Sequence, residues 1–235
     1  MDERLRVDLS LAEGPTHDDV VVLSRLLRAD DLEAARNFVC DFARRGVDSE
    51  KIILDLLAVA AVEVGDCWLD DGCSFCDVTL VLARLQCITR ALFAELPGAH
   101  PRARDRRRVL LVPTSGEQHT FGLVLLEEML RAAGWEVLGE PTDVALQVLR
   151  TNYIEALGLT ACRVERLEAL AAYIHQARLV SKNQDLVVVV GGRCFDLAPE
   201  LAVTVGADGT AESPTEAARL VRELVTAREL AKVGC

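Results

Sequence analysis

Apolar residues recur at helical spacing in the first half of the chain and in short β-branched runs in the second half. In the first half they repeat every three or four residues, which predicts helices with one apolar face each. Four helices are expected: 18–29, a second from the caps Asp30-Asp31 to about Arg45, a third from Ile52 to about Cys67, and a fourth from Ser74 or Asp77 to about Leu96. Short connections between them predict a four-helix bundle over residues 1–96.

Strand and helix patterns alternate after residue 108. Apolar or β-branched runs at 109–114, 135–139, 154–160 and 185–190 predict four strands, and a short fifth is expected near Leu201–Val205. Helical segments separate the strands, and the last helix is expected from Ser213 to about Ala231. This repetition predicts a flavodoxin-like (Rossmann-like) five-stranded parallel sheet over residues 109–235, with right-handed crossovers, strand order 2-1-3-4-5 and helices on both faces.

Residues 97–108 connect the two predicted domains and contain five arginines. Such a segment is either a solvated linker or a contact for an anionic partner or nucleic acid. The chain as a whole has 235 residues and a formal net charge of −11, which argues against general nucleic-acid binding. It has no apolar run of about 18 residues and no signal-peptide core, so we expect a cytoplasmic protein without a membrane partner.

Eight cysteines are many for a cytoplasmic protein. Cys73 and Cys76 form a single CxxC pair, but a zinc site would require a second pair or neighbouring histidines. Two interpretations remain open. Most of the cysteines are small buried apolar residues, or the cluster of Cys67, Cys73 and Cys76 is a redox sensor.

His119 carries the strongest chemical signal. It lies in Glu117-Gln118-His119-Thr120-Phe121-Gly122, between the first predicted strand of the sheet and the helix that follows it. In an open parallel sheet this loop lies at the carboxyl end of the strand, where such folds bind ligands. Glu117 can orient the imidazole, and Gly122 allows a bulky group to approach the backbone. The loop therefore predicts a metal-ligating histidine.

Two further sites fall at the carboxyl ends of other strands. Thr160 ends the third predicted strand, and Gly191-Gly192 ends the fourth. Together with the His119 loop, they place an imidazole, a hydroxyl and a glycine pair along one edge of the sheet. This set suits a ligand that has a metal ion at one end and a long extended chain at the other.

These motifs resemble the cobalamin-binding domains of methionine synthase and corrinoid proteins, with their Asp-x-His-x-x-Gly, Ser-x-Leu and Gly-Gly signatures. The resemblance implies that His119 is the axial cobalt ligand and that Glu117 tunes it. It implies that Thr160 binds the nucleotide tail in a groove beside the first helix of the sheet domain. The glycines that would line this site are Gly122, Gly191 and Gly192. Glu117 stands where the family has Asp, Thr160 where it has Ser, and Cys162 where it has Leu.

The resemblance extends over about residues 18–230, because the family has a four-helix cap that shields the corrin with a Trp. Trp68, in Trp68-Leu-Asp-Asp-Gly, occupies that place, although a packing role between helices is the alternative. Methyl carriers and cobalamin transcription regulators of the family have a Glu-His pair where this chain has Val78-Thr79, and we take the missing pair to favour a sensor over a methyl carrier. The sequence around Trp68 is also similar to antirepressors of photosynthesis-gene expression, which are related to haem-containing sensor domains.

The resemblance implies three competing functions. The first is a cobalamin-dependent sensor (with adenosyl- or hydroxocobalamin), such as a light-responsive antirepressor photoreceptor that regulates transcription through a repressor or another regulator protein. The second is a non-enzymatic corrinoid carrier of methyl groups, and the third is haem binding on the same scaffold. His17 is a second candidate metal ligand, although its position at a helix start is also typical of an exposed residue. We expect no enzymatic activity and no direct nucleic-acid binding; a homo-oligomer is compatible with the sequence.

Overall fold

The computed structural model describes residues 13–69, 72–95, 107–114 and 121–233. The chain divides into two compact units, Met1–Pro97 and Gly98–Cys235. Residues 97–106 of the expected linker, and with them most of its arginines, lie outside the described residues. Arg107 and Arg108 are described, and they pair with Glu229 and Glu136 of the second unit, each at 2.8 Å. These two arginines therefore bind the protein's own carboxylates.

The first unit is helical throughout its described residues. Its helices are α1 (His17–Arg28), α2 (Leu32–Arg44), α3 (Ser49–Lys51), α4 (Val59–Leu69) and α5 (Phe75–Glu95). A π-helical segment, Ile52–Ala58, joins α3 to α4, so these three segments form the single third helix that the sequence predicts. Asp31 caps α2 by accepting a hydrogen bond from the Ala34 amide at 3.0 Å.

The core of this unit consists of the apolar stripes of its helices. The third helix has buried residues at Ile52, Ile53, Leu56, Leu57 and Ala60. Two neighbours per turn are thus buried, which is the broad apolar face expected of a central helix in a bundle.

The second unit is a parallel sheet between two helical layers. Its strands are β1 (Arg108–Pro113), β2 (Glu136–Gly139), β3 (Ala156–Thr160), β4 (Val187–Gly191) and β5 (Gly209–Thr210). Its helices are α6 (Phe121–Ala132), α7 (Thr142–Thr151), α8 (Leu167–Val180), α9 (Arg193–Leu197), α10 (Leu201–Thr204) and α11 (Pro214–Val233). The strands are parallel in the order β2-β1-β3-β4-β5, which confirms the predicted architecture.

The predicted position of the fifth strand is wrong. Residues Leu201–Thr204 form helix α10, and the strand is Gly209–Thr210, paired with Val189 and Val190. Ala202 and Val205 are buried whereas Val203 is 80% exposed, which is a helical rather than an alternating pattern. A short apolar run does not by itself distinguish a helix from a strand.

Strand alternation divides the core into two layers. Leu110, Leu157 and Val188 pack with residues of α7 and α8, whereas Val109, Ala156 and Val187 pack with residues of α6 and α11. Because successive side chains point to opposite faces, the layer to which each strand-end residue belongs can be read from its neighbours. Within the described residues, no helix is long and apolar enough to span a membrane.

Candidate cofactor site

The carboxyl ends of four strands meet at one edge of the sheet. Thr160 ends β3 and is in register with Gly191, the last residue of β4. Thr114 follows β1, and its amide donates to the Thr160 carbonyl at 3.2 Å. Thr210 ends β5 beside Val190. Three hydroxyl residues and a glycine thus lie side by side along this edge.

Gly192 holds a backbone position that only glycine accommodates. Its φ is +106°, and a Cβ at this position would lie 2.5 Å from the Ala161 carbonyl oxygen and 3.0 Å from Thr160 Oγ1. A side chain would therefore have to displace backbone atoms. The glycine keeps the end of β4 close to the end of β3, where the Ala161 amide donates to the Gly191 carbonyl at 2.9 Å.

Thr160 and Gly191 belong to the face of the sheet that packs against α6 and α11. Alternation from Ala156 in β3 and from Val187 in β4 assigns them to this face. Gly122, the second residue of α6, is exposed, and a Cβ there would meet no heavy atom of the described protein within 4 Å. Thr160 and Gly191 therefore lie on the same face of the sheet as α6, the helix that contains Gly122. No described heavy atom occupies the space beside Gly122.

Three buried hydroxyls lack a hydrogen-bond partner within the described part of the chain. They are the side-chain oxygens of Thr114, Thr210 and Thr215. Two of these residues lie at carboxyl ends of strands, and Thr215 lies in the first turn of α11. A buried polar group without a partner costs roughly 1–3 kcal/mol, so such groups call for an explanation such as a ligand.

The loop after β3 borders an open cavity of about 520 Å³. Its lining includes Cys162, Arg163 and Glu165. In the α9 segment after β4, burial raises the pKa of Asp196, and the negative charge of Glu212 raises it further. The carboxyl edge therefore combines hydroxyls, both signs of charge and accessible space.

Glu117 and His119, the predicted metal-binding pair, lie outside the described residues. Along the chain they fall between the end of β1 and the start of α6. Their roles therefore stay predictions.

The helical unit carries the other two candidates. Trp68, in α4, is 39% exposed and makes an edge-to-face contact with Phe75 at 6.3 Å between ring centroids. It is therefore not a fully buried core residue. His17 is the first residue of α1, with a side chain that is 76% exposed and an Nδ1 atom 3.5 Å from a Glu63 oxygen. His17 is therefore a surface residue beside a carboxylate.

The fold and this edge define a class of protein: a doubly wound α/β ligand-binding domain that follows a helical unit. Residues 107–219 match the family model of the B12 binding domain. This part of the chain is therefore similar to that family of cobalamin-binding domains.

Two further comparisons show what the chain as a whole is similar to. The chain is 25% identical, over 171 residues, to a Rhodobacter capsulatus protein named for its size and position, the 20.5 kDa protein in the bchF-crtJ intergenic region. That alignment covers 72% of this chain and 88% of the relative. The monomethylamine corrinoid protein of Methanosarcina barkeri has the same fold, with a TM-score of 0.70 and 16% identity over 88% of this chain and 98% of that one.

The described residues fit a cobalamin nucleotide tail, which is rich in hydrogen-bonding groups. Thr160, Gly191 and the exposed Gly122 lie on the α6 and α11 side of the carboxyl edge, where the tail is expected. Strand alternation assigns the unpartnered hydroxyls of Thr114 and Thr210 to the α7 and α8 side of the same edge. Sequence reasoning identified Thr160 and the glycines but missed Thr114, Thr210 and Thr215. A hydroxyl directly after an apolar strand was the available signal for Thr114; nothing in the sequence marks the other two as lacking partners.

Proposed function

We propose that this protein is a cobalamin-dependent sensor that regulates transcription through another regulator protein and that it is not an enzyme. The observation that carries the proposal is the chemistry of the first turns of α5. Where methyl carriers of the resembling family have a Glu-His pair, this helix has Val78 and Thr79. Neither side chain ionises near neutral pH, so the acid–base group of a methyl carrier is absent at these two positions.

The neighbouring polar groups of α5 are occupied by structural hydrogen bonds. The Thr79 hydroxyl donates to the Phe75 carbonyl at 2.8 Å. The Asp77 carboxylate accepts from both the amide and the hydroxyl of Ser74, at 2.9 and 2.7 Å, and these hydrogen bonds lower its pKa. Asp77 is therefore an ionised helix cap rather than a proton donor.

In this proposal the sheet unit holds the cofactor and the helical unit responds to it. His119 would ligate the cobalt, with Glu117 accepting the other imidazole N–H, and Thr160 would bind the tail beside Gly191 and Gly192. Bound cobalamin would supply a cobalt whose upper ligand can be exchanged or, in alkylated forms, lost on illumination. The exposed Trp68 and Phe75 rings offer an aromatic surface that can respond to such a change.

The regulatory role has one further support, the gene position of the Rhodobacter capsulatus relative. The name of that relative places its gene between bchF and crtJ, a photosynthesis gene region. A regulatory partner would be a transcription factor, because the net charge of −11 disfavours direct contact with DNA.

The deciding experiment is a comparison of the full chain in darkness and in light. The purified protein is loaded with adenosylcobalamin or hydroxocobalamin in the dark, freed of excess cofactor and illuminated. We expect corrinoid absorption bands with both cofactors. Only the adenosyl form should show a light-dependent change in the spectrum, together with a change in protease sensitivity of the α4–α5 region.

The variant Trp68→Ala tests the response, with Trp135→Phe in the sheet core as the matched aromatic control. Trp68→Ala should keep the fold and alter the photochemistry or retention of the cofactor. A light-dependent spectrum without any change in protease sensitivity or in host transcription would contradict the sensor proposal. Methyl transfer by the loaded protein would favour the carrier, and a Soret band would indicate haem.

A further inference from the structure

Two cysteine side chains meet at the turn between α4 and α5. The Cys73 thiol lies 3.9 Å from the carbonyl oxygen of Val64. Val64 is one helical turn before Cys67, so Cys73 folds back over the face of α4 that carries Cys67. The Cys67 thiol is close enough to Cys73 to raise the pKa of the Cys73 thiol.

Gly72 makes this approach sterically possible. Its amide donates to the Cys67 carbonyl at 2.8 Å and so caps the end of α4. A Cβ at residue 72 would lie 3.1 Å from that carbonyl oxygen and 3.2 Å from the Cys67 sulfur. The residue before Cys73 is thus packed directly on Cys67, and a side chain there would push Cys67 away by a few tenths of an ångström.

We propose that Cys67 and Cys73 form a reversible disulfide when the protein meets a hydroperoxide. Both side chains are half-buried free thiols, so a small oxidant can reach them. No group of three or more metal-ligating side chains is found in the described part of the chain, which argues against a metal role for the pair. The pair that reacts is therefore Cys67 with Cys73 across the turn, and not the Cys73-x-x-Cys76 motif.

The hydrogen bond with Cys67, followed by burial, raises the pKa of the Cys73 thiol. Because this shift favours the protonated form of Cys73, we assign Cys67 as the first nucleophile. The Cys67 thiolate attacks one peroxide oxygen, the O–O bond breaks, and an alcohol or water leaves after taking up a proton. Deprotonated Cys73 then attacks the resulting sulfenic acid, forming the S–S bond and releasing water. In sum, two thiols and one hydroperoxide yield one disulfide, one alcohol (or water) and one water.

The disulfide would close a short loop and tie the end of α4 to the start of α5. Trp68 follows Cys67, and its partner Phe75 lies two residues after Cys73. Oxidation should therefore restrict the motion of this aromatic pair. Any effect of that restriction on cofactor retention rests on the proposed function, whereas disulfide formation does not.

The test uses the full chain, first reduced, then exposed to hydrogen peroxide and alkylated. Digestion before aspartate residues separates Cys67 from Cys73, because Asp70 and Asp71 lie between them. We expect a crosslink between the two fragments, a mass lower by two hydrogen atoms and full reversal by dithiothreitol. Cys76→Ser should retain the crosslink, whereas Cys73→Ser should lose it and leave Cys67 as a sulfenic acid that dimedone traps.

Equal alkylation of Cys67 with and without peroxide would overturn the proposal, and so would a disulfide that disappears in Cys76→Ser. If Cys73→Ser fails to fold, the wild-type crosslink and its persistence in Cys76→Ser still decide the question. The experiment needs no cofactor. A crosslink in a protein that binds no cobalamin would refute the proposed function and leave the redox inference intact.

Discussion

The two edges of the parallel sheet differ in how their polar groups are satisfied. At the amino edge, charged residues before the strands pair with helix residues. Asp208, just before β5, accepts from the Val188 amide at 2.7 Å, from Arg178 at 2.9 Å and from Arg228 at 2.5 Å. At the carboxyl edge, the buried hydroxyls of Thr114 and Thr210 have no partner within the described residues. Among the described residues, the amino edge therefore has its polar groups paired, whereas the carboxyl edge leaves two hydroxyls unpaired.

The polar groups around Glu155, also at the amino edge, are likewise paired within the protein. The Glu155 carboxylate accepts from the Arg108 amide at 2.7 Å, while the Arg108 guanidinium pairs with Glu136. Burial raises the pKa of Glu155, and hydrogen bonds from the backbone oppose the shift. Groups that are paired in this way stabilise the fold, whereas unpaired buried groups cost stability unless a ligand pairs them. The comparison predicts that mutations at the amino edge will change stability, whereas mutations at the carboxyl edge will change cofactor binding.

The largest expected effect is on binding, at His119. Replacing His119 by Ala removes the proposed cobalt ligand, and cobalamin affinity should fall by about 100-fold or more, since even groups that only orient a metal ligand account for about 10–100-fold. The free energy of unfolding without cofactor should change by no more than about 0.5 kcal/mol. Spectroscopic titration with hydroxocobalamin measures the first quantity and urea denaturation the second.

His175→Ala is the matched control, because His175 is an exposed residue of α8. Equal affinities and identical spectra for His119→Ala and wild type would remove His119 as the ligand. The proposed site at the carboxyl edge would then have no known cobalt ligand.

The second prediction concerns Asp208 at the amino edge. Asp208→Ala leaves two guanidinium groups and the Val188 amide without their shared acceptor, so the unit should lose about 2–4 kcal/mol of stability. Urea denaturation of this variant in a Trp68→Phe background, followed by Trp135 fluorescence, reports on the sheet unit. Cobalamin affinity at low urea should be unchanged.

Glu223→Ala, at an exposed ion pair with Arg219, is the control and should change stability by no more than about 0.5 kcal/mol. A large loss of cobalamin affinity in folded Asp208→Ala would show that the two edges are not independent.

The third prediction concerns the unpartnered hydroxyls. Thr210→Val and Thr114→Val remove a buried oxygen that has no partner in the described protein, so stability should stay equal or rise by up to about 1 kcal/mol. Cobalamin affinity should fall by roughly 3–10-fold if these oxygens bind the tail, which corresponds to one hydrogen bond. Thr204→Val, at an exposed hydroxyl of α10, should leave affinity unchanged. A clear loss of stability in Thr210→Val would mean that its hydroxyl has a partner in solution.

Sequence patterns predicted the element types well because the apolar periods are long and regular. The carboxyl-edge positions of Thr160 and Gly191 followed from the rule that parallel strands end together. The fifth strand was misplaced because its two residues, Gly209 and Thr210, have no apolar run of their own. Its pairing depends on β4, which is a tertiary effect that a local window does not contain.

Side-chain partners were harder to predict than elements. The expectation that most cysteines are buried is wrong for the described ones, since only Cys40 and Cys194 are buried. The contact between Cys67 and Cys73 depends on the path of the turn at Gly72, and the CxxC spacing pointed to Cys76 instead. Similarly, whether the Thr215 hydroxyl finds a hydrogen-bond partner depends on its tertiary neighbours, which the local sequence does not show.

The smallest predicted effect is a change in titration at the amino edge. A hydrogen bond from Lys232 lowers the pKa of Asp185, and the same bond raises the pKa of Lys232. The stabilisation linked to Asp185 is present above the carboxyl's unfolded pKa and is lost as pH falls through the folded value. For Lys232, it is present below the unfolded pKa of the amine and is lost as pH rises through the folded value. Between these limits the contribution of the pair should not vary with pH.

Lys232→Met should therefore move the pKa of Asp185 upward, though not fully, because the positive charge of Arg228 still lowers it. A carboxyl carbon NMR titration of Asp185 measures the shift. Lys182→Met is the control, since Lys182 donates instead to the Thr151 carbonyl. Both groups of the pair are exposed, so the change in overall stability should be too small to resolve. An unchanged Asp185 titration would show that this ion pair is not populated in solution. The paired groups of the amino edge would then be limited to the partly buried residues around Asp208.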